Sequence, residues 1–219
     1  MSDRKTGILE AACRVIARRG VRGLRVEEIA REAGVSVALI YYYFEGRAEL
    51  LRRALEYVNE RADDYTRPPL PADAPAPDAL VAMLLREIQD DPTVVESVVV
   101  WHELLASAIF EPGLREAVSR SDAGWVASIA AVVRRGQAEG TIPPPIDADA
   151  VAQRLTALVE GLSARWLIGA LSADGARALV RRAVAQELAA EGSRGGGESE
   201  SREARAEEVG SGAGVPPPT

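Results

Sequence analysis

Cysteine and histidine are nearly absent from this 219-residue chain, which has only Cys13 and His102. One of each cannot assemble a zinc cluster, and a lone cysteine excludes an internal disulfide. It also leaves no second thiol to resolve an oxidised Cys13, so a redox switch within the subunit is not expected. Long apolar runs are missing too. No stretch approaches the roughly 18 residues that a bilayer span requires, and no charged-then-apolar leader precedes a cleavage site. With cysteine usage that fits a reducing compartment, the expectation is a cytoplasmic protein with no membrane partner. Enzyme chemistry finds no footing: no phosphate-cradling or dinucleotide loop follows a strand, and the serine in GLSAR lacks the preceding strand of a nucleophile elbow. Glu160, beside it, has no sequence partner for work as a base. Neither cofactor nor metal is expected.

Strand-like alternation is also lacking, and helical periodicity fills the space. The chain is 47% apolar, enough for a sizeable core. Helices are predicted over about 4–19, 25–33, 37–43, 46–65, 78–89, 92–110, 112–139, 147–171 and 173–191. The fold class is therefore all-α with about nine helices. Five prolines in residues 66–78 interrupt the pattern, and Pro92 stands at a favoured first helical position. From Gly192 onward, 22 of 28 residues are Gly, Ser, Pro or charged. Such a segment buries too little to offset its ordering entropy, so 192–219 reads as a disordered tail.

Residues 25–50, RVEEIAREAGVSVALIYYYFEGRAEL, carry the strongest signal. Val26, Ile29, Ala30 and Ala33 form one apolar face, with Glu27, Glu28, Arg31 and Glu32 opposite. Gly34 suits a left-handed helix end, and Ser36 suits an N-cap for the next helix. Val35 and Ile40 are placed to pack on Ile29 and Ala30. Two short helices joined by a tight glycine-containing turn make a helix-turn-helix, whose second helix, Val37 to Tyr43, enters the major groove of duplex DNA.

GVSVALIYYYFEGRAEL resembles the signature G-V-S-x-[GA]-x-[LI]-Y-x-[HY]-F-x-x-[KR]-x-x-L of TetR-type bacterial transcriptional regulators. ILEAACRVIARRGVRGLRVEEIA resembles that family's first helix and the start of its second. The resemblance implies an N-terminal three-helix DNA-binding domain, residues 1–50, and a larger helical ligand-binding and dimerisation domain, residues 51–191. Tyr41 and Tyr43 match the family's phosphate-contacting positions, with Tyr42 between them, and Arg47 matches its Lys/Arg at the start of the fourth helix. The hydroxyls of the three tyrosines suit phosphate oxygens, and Arg25 is a weaker phosphate candidate. Phe44 reads as core. Val37, Ala38 and Leu39 sit at the entrance of the recognition helix. They suit thymine methyls but cannot make bidentate hydrogen bonds to bases, so shape and half-site spacing would carry more of the specificity.

WHELLASAIFEPGLREAV, in the body, is similar to the BetI-like subgroup of that family. The resemblance implies that the last two helices pair with a second copy, and Leu155, Leu158, Val159, Leu162 and Trp166 are the candidate dimer interface. Leu167 extends this stripe, with Gly161, Ser163 and Ala164 small enough for close approach. A ligand pocket would lie among helices five to eight. Its candidates are Met83, Trp101, His102, Leu105, Phe110, Trp125, Ile129 and Trp166, with Glu103, Gln153 or Arg165 as polar anchors. Aromatic residues and Met at helical spacing are more often plain core than pocket lining.

Charge divides along the same line. The formal net charge is −7, yet residues 1–55 hold 11 basic and 7 acidic side chains. A basic head on an acidic body orients an encounter with DNA. The function expected is a homodimeric repressor on a palindromic operator in double-stranded DNA, released by an unknown small-molecule effector. A ligand-independent regulator, or a helical interaction module that has lost specific DNA binding, remain as alternatives.

Overall fold

A computed structural model describes residues 3–66 and 74–189; the side chains of residues 3 and 63–66 are excepted. The predicted tail and most of the proline-rich segment lie outside the described residues. Among these there are nine α-helices and no strand: α1 (Asp3–Arg19), α2 (Val26–Ala33), α3 (Val37–Tyr43), α4 (Arg47–Thr66), α5 (Ala76–Leu85), α6 (Pro92–Ala108), α7 (Pro112–Ala138), α8 (Ala148–Leu167) and α9 (Ala173–Leu188). The residues up to Leu188 pack as one unit.

Local chemistry sets most helix ends. Gly34 ends α2 at φ 65°, a conformation open to glycine at little steric cost. The Ser36 hydroxyl accepts the Leu39 N–H at the start of α3. Asp91 and Asp147 each accept two backbone N–H groups at the starts of α6 and α8. Several boundaries depart from the sequence expectation, two of them for a plain local reason. Helix α5 begins at Ala76 rather than near residue 78, because Pro77 falls in the first turn, where its missing N–H loses no bond. Helix α8 stops at Leu167, short of 171, because Gly169 takes φ +73° and donates to the Trp166 carbonyl.

Two apolar cores organise the helices. The first holds Ile8, Ile16, Ile29, Ile40, Phe44, Leu51 and Leu55 from α1–α4 and the loop after α3. It also takes Val100 and Leu104 from α6 and Leu114 and Val118 from α7. The second is built from α5, α7, α8 and α9, around Leu80, Ile129, Val133, Leu155 and Val180. Gly136 marks the tightest approach within it: a Cβ there would lie 2.5 Å from Ile142 and 2.7 Å from Ala76. The DNA-binding helices therefore do not enclose a core of their own. Helix α6 completes it, which ties head and body together through apolar packing. Cys13 is buried in this first core, and burial pushes its thiol up to about 12, so it is not a reactive thiolate at neutral pH.

Candidate nucleic-acid interface and ligand cavity

Helix α3 stands out from the first core on the face opposite Ile40. Tyr41 is 55% exposed and Tyr42 78% exposed. Tyr43 is half-buried and packs on the core, its ring edge-on to Tyr42 with 5.2 Å between centroids. Ala38 is exposed, Val37 and Leu39 are half-buried, and Arg25, the residue before α2, is exposed. The outward face of α3 is thus tyrosine hydroxyls beside a small apolar entrance. The helices below it are braced by ion pairs: Glu32 accepts from Arg14 and Arg18, and Arg19 meets Glu28. The Arg14 and Arg18 hydrogen bonds hold the Glu32 carboxyl below its ordinary range.

Arg47 is placed differently from the other phosphate candidates. Its guanidinium donates to the Val21 carbonyl at 2.8 Å and to both Glu111 oxygens at 3.1 and 3.2 Å. The same turn is held from the body by Glu103, which accepts the Val21 N–H at 2.9 Å. Arg22 stacks over Phe110 at 5.3 Å. Gly20 makes this approach possible: it adopts φ +72°, and a Cβ would sit 2.7 Å from the Glu103 carboxylate. These contacts clasp the α1–α2 turn to the α6–α7 corner. Residue pairs 64 and 82 positions apart meet there, which no local pattern could reveal.

A cavity of about 220 Å³ opens between α4, α6, α7 and α8. Of the eight residues expected to line a pocket, Trp101 and Trp125 do so. Met83 and Ile129 are buried in the second core, and Trp166 packs against it. Leu105 packs on the first core. Phe110 is 69% exposed at the α6–α7 corner. His102 is half-buried beside the cavity, its Nε2 2.9 Å from Ser163 Oγ. The Ser163 hydroxyl also lies 3.0 Å from the Glu160 carbonyl, which accepts its proton when the ring nitrogen is the donor to Ser163 Oγ. Burial lowers the His102 pKa, favouring the neutral ring. Among the polar anchors expected, Glu103 belongs to the clasp, Arg165 is exposed, and Gln153 lines a shallower depression on α7 and α8.

The cavity's polar lining escaped the sequence. Glu87, Asp122 and Glu160 all border it, as do Ser97, Ser121 and Thr156. Glu160 accepts the Trp101 indole N–H at 3.1 Å. Burial raises its pKa, the Trp101 bond opposes this, and Asp122 raises it further. Burial alone raises Glu87 to about 7. It is half-buried and borders the cavity. Its carboxylate meets no hydrogen-bond or ion-pair partner among the described residues. Thr156, 5% exposed, has a hydroxyl with no partner. No group of three or more possible metal ligands occurs among the described residues.

The sequence matches two family models in the order of this architecture. Residues 8–54 match "Bacterial regulatory proteins, tetR family", and residues 76–189 match "BetI-type transcriptional repressor, C-terminal". The chain belongs to the TetR family. It is a DNA-binding transcriptional regulator with a BetI-type body. A TetR-family regulator from Rhodococcus sp. is 45% identical, with a TM-score of 0.80 over 86% of this chain and 100% of that one. A regulator from Saccharomonospora viridis, solved in complex with choline, is 29% identical with a TM-score of 0.72, covering 85% and 95%. The regulator PksA of Bacillus subtilis is 26% identical over 84% of this chain and 88% of its own length.

Proposed function

We propose that this TetR-family regulator is a homodimeric repressor that leaves its operator when a small molecule fills the cavity of about 220 Å³. The observation that carries this reading is the shared use of α4. The helix starts at Arg47 in the clasp that holds the α1–α2 turn, and its second half, at Val58, Asn59 and Ala62, walls the cavity. Helix α6 repeats the arrangement, with Trp101 on the cavity and Glu103 on the head. An occupant that displaces either helix shifts the head that each one holds. Two heads then lose the spacing that consecutive major grooves demand. The Saccharomonospora regulator with choline supports small-molecule occupancy of such a body.

DNA contact is assigned to Tyr41 and Tyr42, whose hydroxyls reach phosphate, with Ala38 and Leu39 against base edges. Arg25 and Tyr43 flank them on backbone. Dimerisation is assigned to the outer faces of α8 and α9. Leu155, Val159 and Leu162 are buried in the chain's own core, whereas Leu158 and Trp166 are half-buried and Ile168 is 78% exposed. Leu179, 41% exposed, and the small Ala157 and Gly161 extend this face. The test selects bound fragments from random duplex DNA, then measures retardation of the recovered sequence as salt is varied. Specific, salt-sensitive binding by a dimer, weakened in Tyr42→Ala, is expected. Binding no tighter than to bulk DNA overturns the reading.

A further inference from the structure

The cavity is rich in acceptors and poor in donors. Glu87 and Asp122 bring carboxylates from α5's end and α7, and Glu160 brings a third from α8. Its two indole walls, Trp101 and Trp125, offer π faces to a cation. Several donors at the wall are already engaged. The Trp101 N–H serves Glu160, the Asn59 amide donates to Ser121 at 2.6 Å, and Arg120 pairs with Glu116. Glu87 and the Thr156 hydroxyl are left without partners among the described residues. The Thr156 hydroxyl is buried as well as unpaired, which is costly and rare in native structures, and the half-buried Glu87 carboxylate borders the same cavity.

We propose that the effector is a small organic ammonium ion that bears N–H groups, held with its charge on Glu87 and Glu160 and its apolar body against Trp101 and Trp125. Charge alone would be met by a quaternary ammonium. The unpaired acceptors call for a hydrogen-bond donor as well, which a quaternary ammonium centre lacks, so the geometry selects against full N-alkylation. The volume, about 220 Å³, lies below the roughly 300–1,000 Å³ of drug-sized sites, which excludes long acyl chains and large planar drugs. The proposal rests on the cavity being the effector site, but its test reads binding directly and needs no operator.

The test is calorimetric titration of the full-length protein at pH 8 with four probes of nearly one shape: 2-phenylethylammonium, its N,N,N-trimethyl analogue, 2-phenylethanol and 3-phenylpropanoate. The primary ammonium is expected to bind at least tenfold tighter than the trimethyl ion and the alcohol, with no binding of the carboxylate. Glu87→Gln is expected to lower its affinity at least tenfold while the circular dichroism spectrum stays unchanged. Thr156→Val, nearly isosteric, is expected to lower it severalfold. Equal or tighter binding of the trimethyl ion or the alcohol overturns the proposal. So does binding by none of the four, or full affinity in Glu87→Gln. If the ammonium binds as expected yet leaves a DNA complex intact, the proposal stands and ligand-driven release fails.

Discussion

Replacing Glu87 by glutamine should make the protein more stable while removing a group proposed to bind ligand. Burial raises this carboxyl from its ordinary 4.5 to about 7, so between those values the folded chain binds more protons than the unfolded one. Its contribution to stability is therefore fully present below pH 4.5 and is lost as pH rises through 7. The full difference corresponds to roughly 3 kcal/mol at 1.36 kcal/mol per pH unit. Glutamine is close to the protonated acid in size and polarity and does not ionise, so Glu87→Gln escapes the loss. Its advantage should be roughly 1 kcal/mol at pH 5 and roughly 3 kcal/mol at pH 8. Urea unfolding at both pH values, at one protein concentration so that the proposed dimerisation contributes equally, measures it. Equal midpoints of variant and parent at pH 8 would falsify the picture of a desolvated, unpaired carboxylate. A parent more stable than the variant at pH 8 would show that Glu87 is ionised against a favourable partner.

The remaining predictions concern the head and its attachment. Tyr42→Ala should weaken operator binding about tenfold, the scale of one hydrogen bond to a charged group, and lower the salt slope little; Tyr42→Phe matching the parent in a mobility-shift assay would remove the hydroxyl from the account. Gly20→Ala should destabilise the fold by roughly 1–3 kcal/mol, since φ is +72° and the new Cβ would meet Glu103. Gly7→Ala, in the open interior of α1, should stabilise by roughly 0.5–1 kcal/mol; thermal melts of the two side by side decide the sign. Ile168→Asp should shift the protein from dimer to monomer in sedimentation without altering its helical content, and an unshifted dimer would move the interface off this face.

How much was readable depends on the range of the interaction. In residues 25–50, Gly34 and Ser36 act within one helical turn, and Ile29 and Ile40 need only period and burial to be placed. The helix boundaries went astray where a second residue intervened, as with Gly169 cutting α8 at Leu167. Arg47 matched a phosphate position, yet its guanidinium lies on Glu111 and Val21. Glu87 lies in the turn just after α5, in a polar stretch that looks like an ordinary solvated helix end, and nothing local distinguishes this acid from its neighbours. Trp101 and Trp125, conspicuous in the sequence as large aromatics, border the cavity; Met83 and Ile129 share their periodicity and lie in the core.

An all-α chain with a helix-turn-helix head and tyrosines on α3 follows from the residues alone, because capping, glycine turns and apolar period act over three or four residues. Tertiary structure alone decided that α6 completes the head's core, that Glu103 and Arg47 hold one turn between head and body, and that Glu87, Thr156 and Glu160 face a single void. Those facts depend on which face of each helix meets another far away in the chain. The physical reason is that desolvation and close approach are properties of the packed assembly, and no segment carries them before it packs.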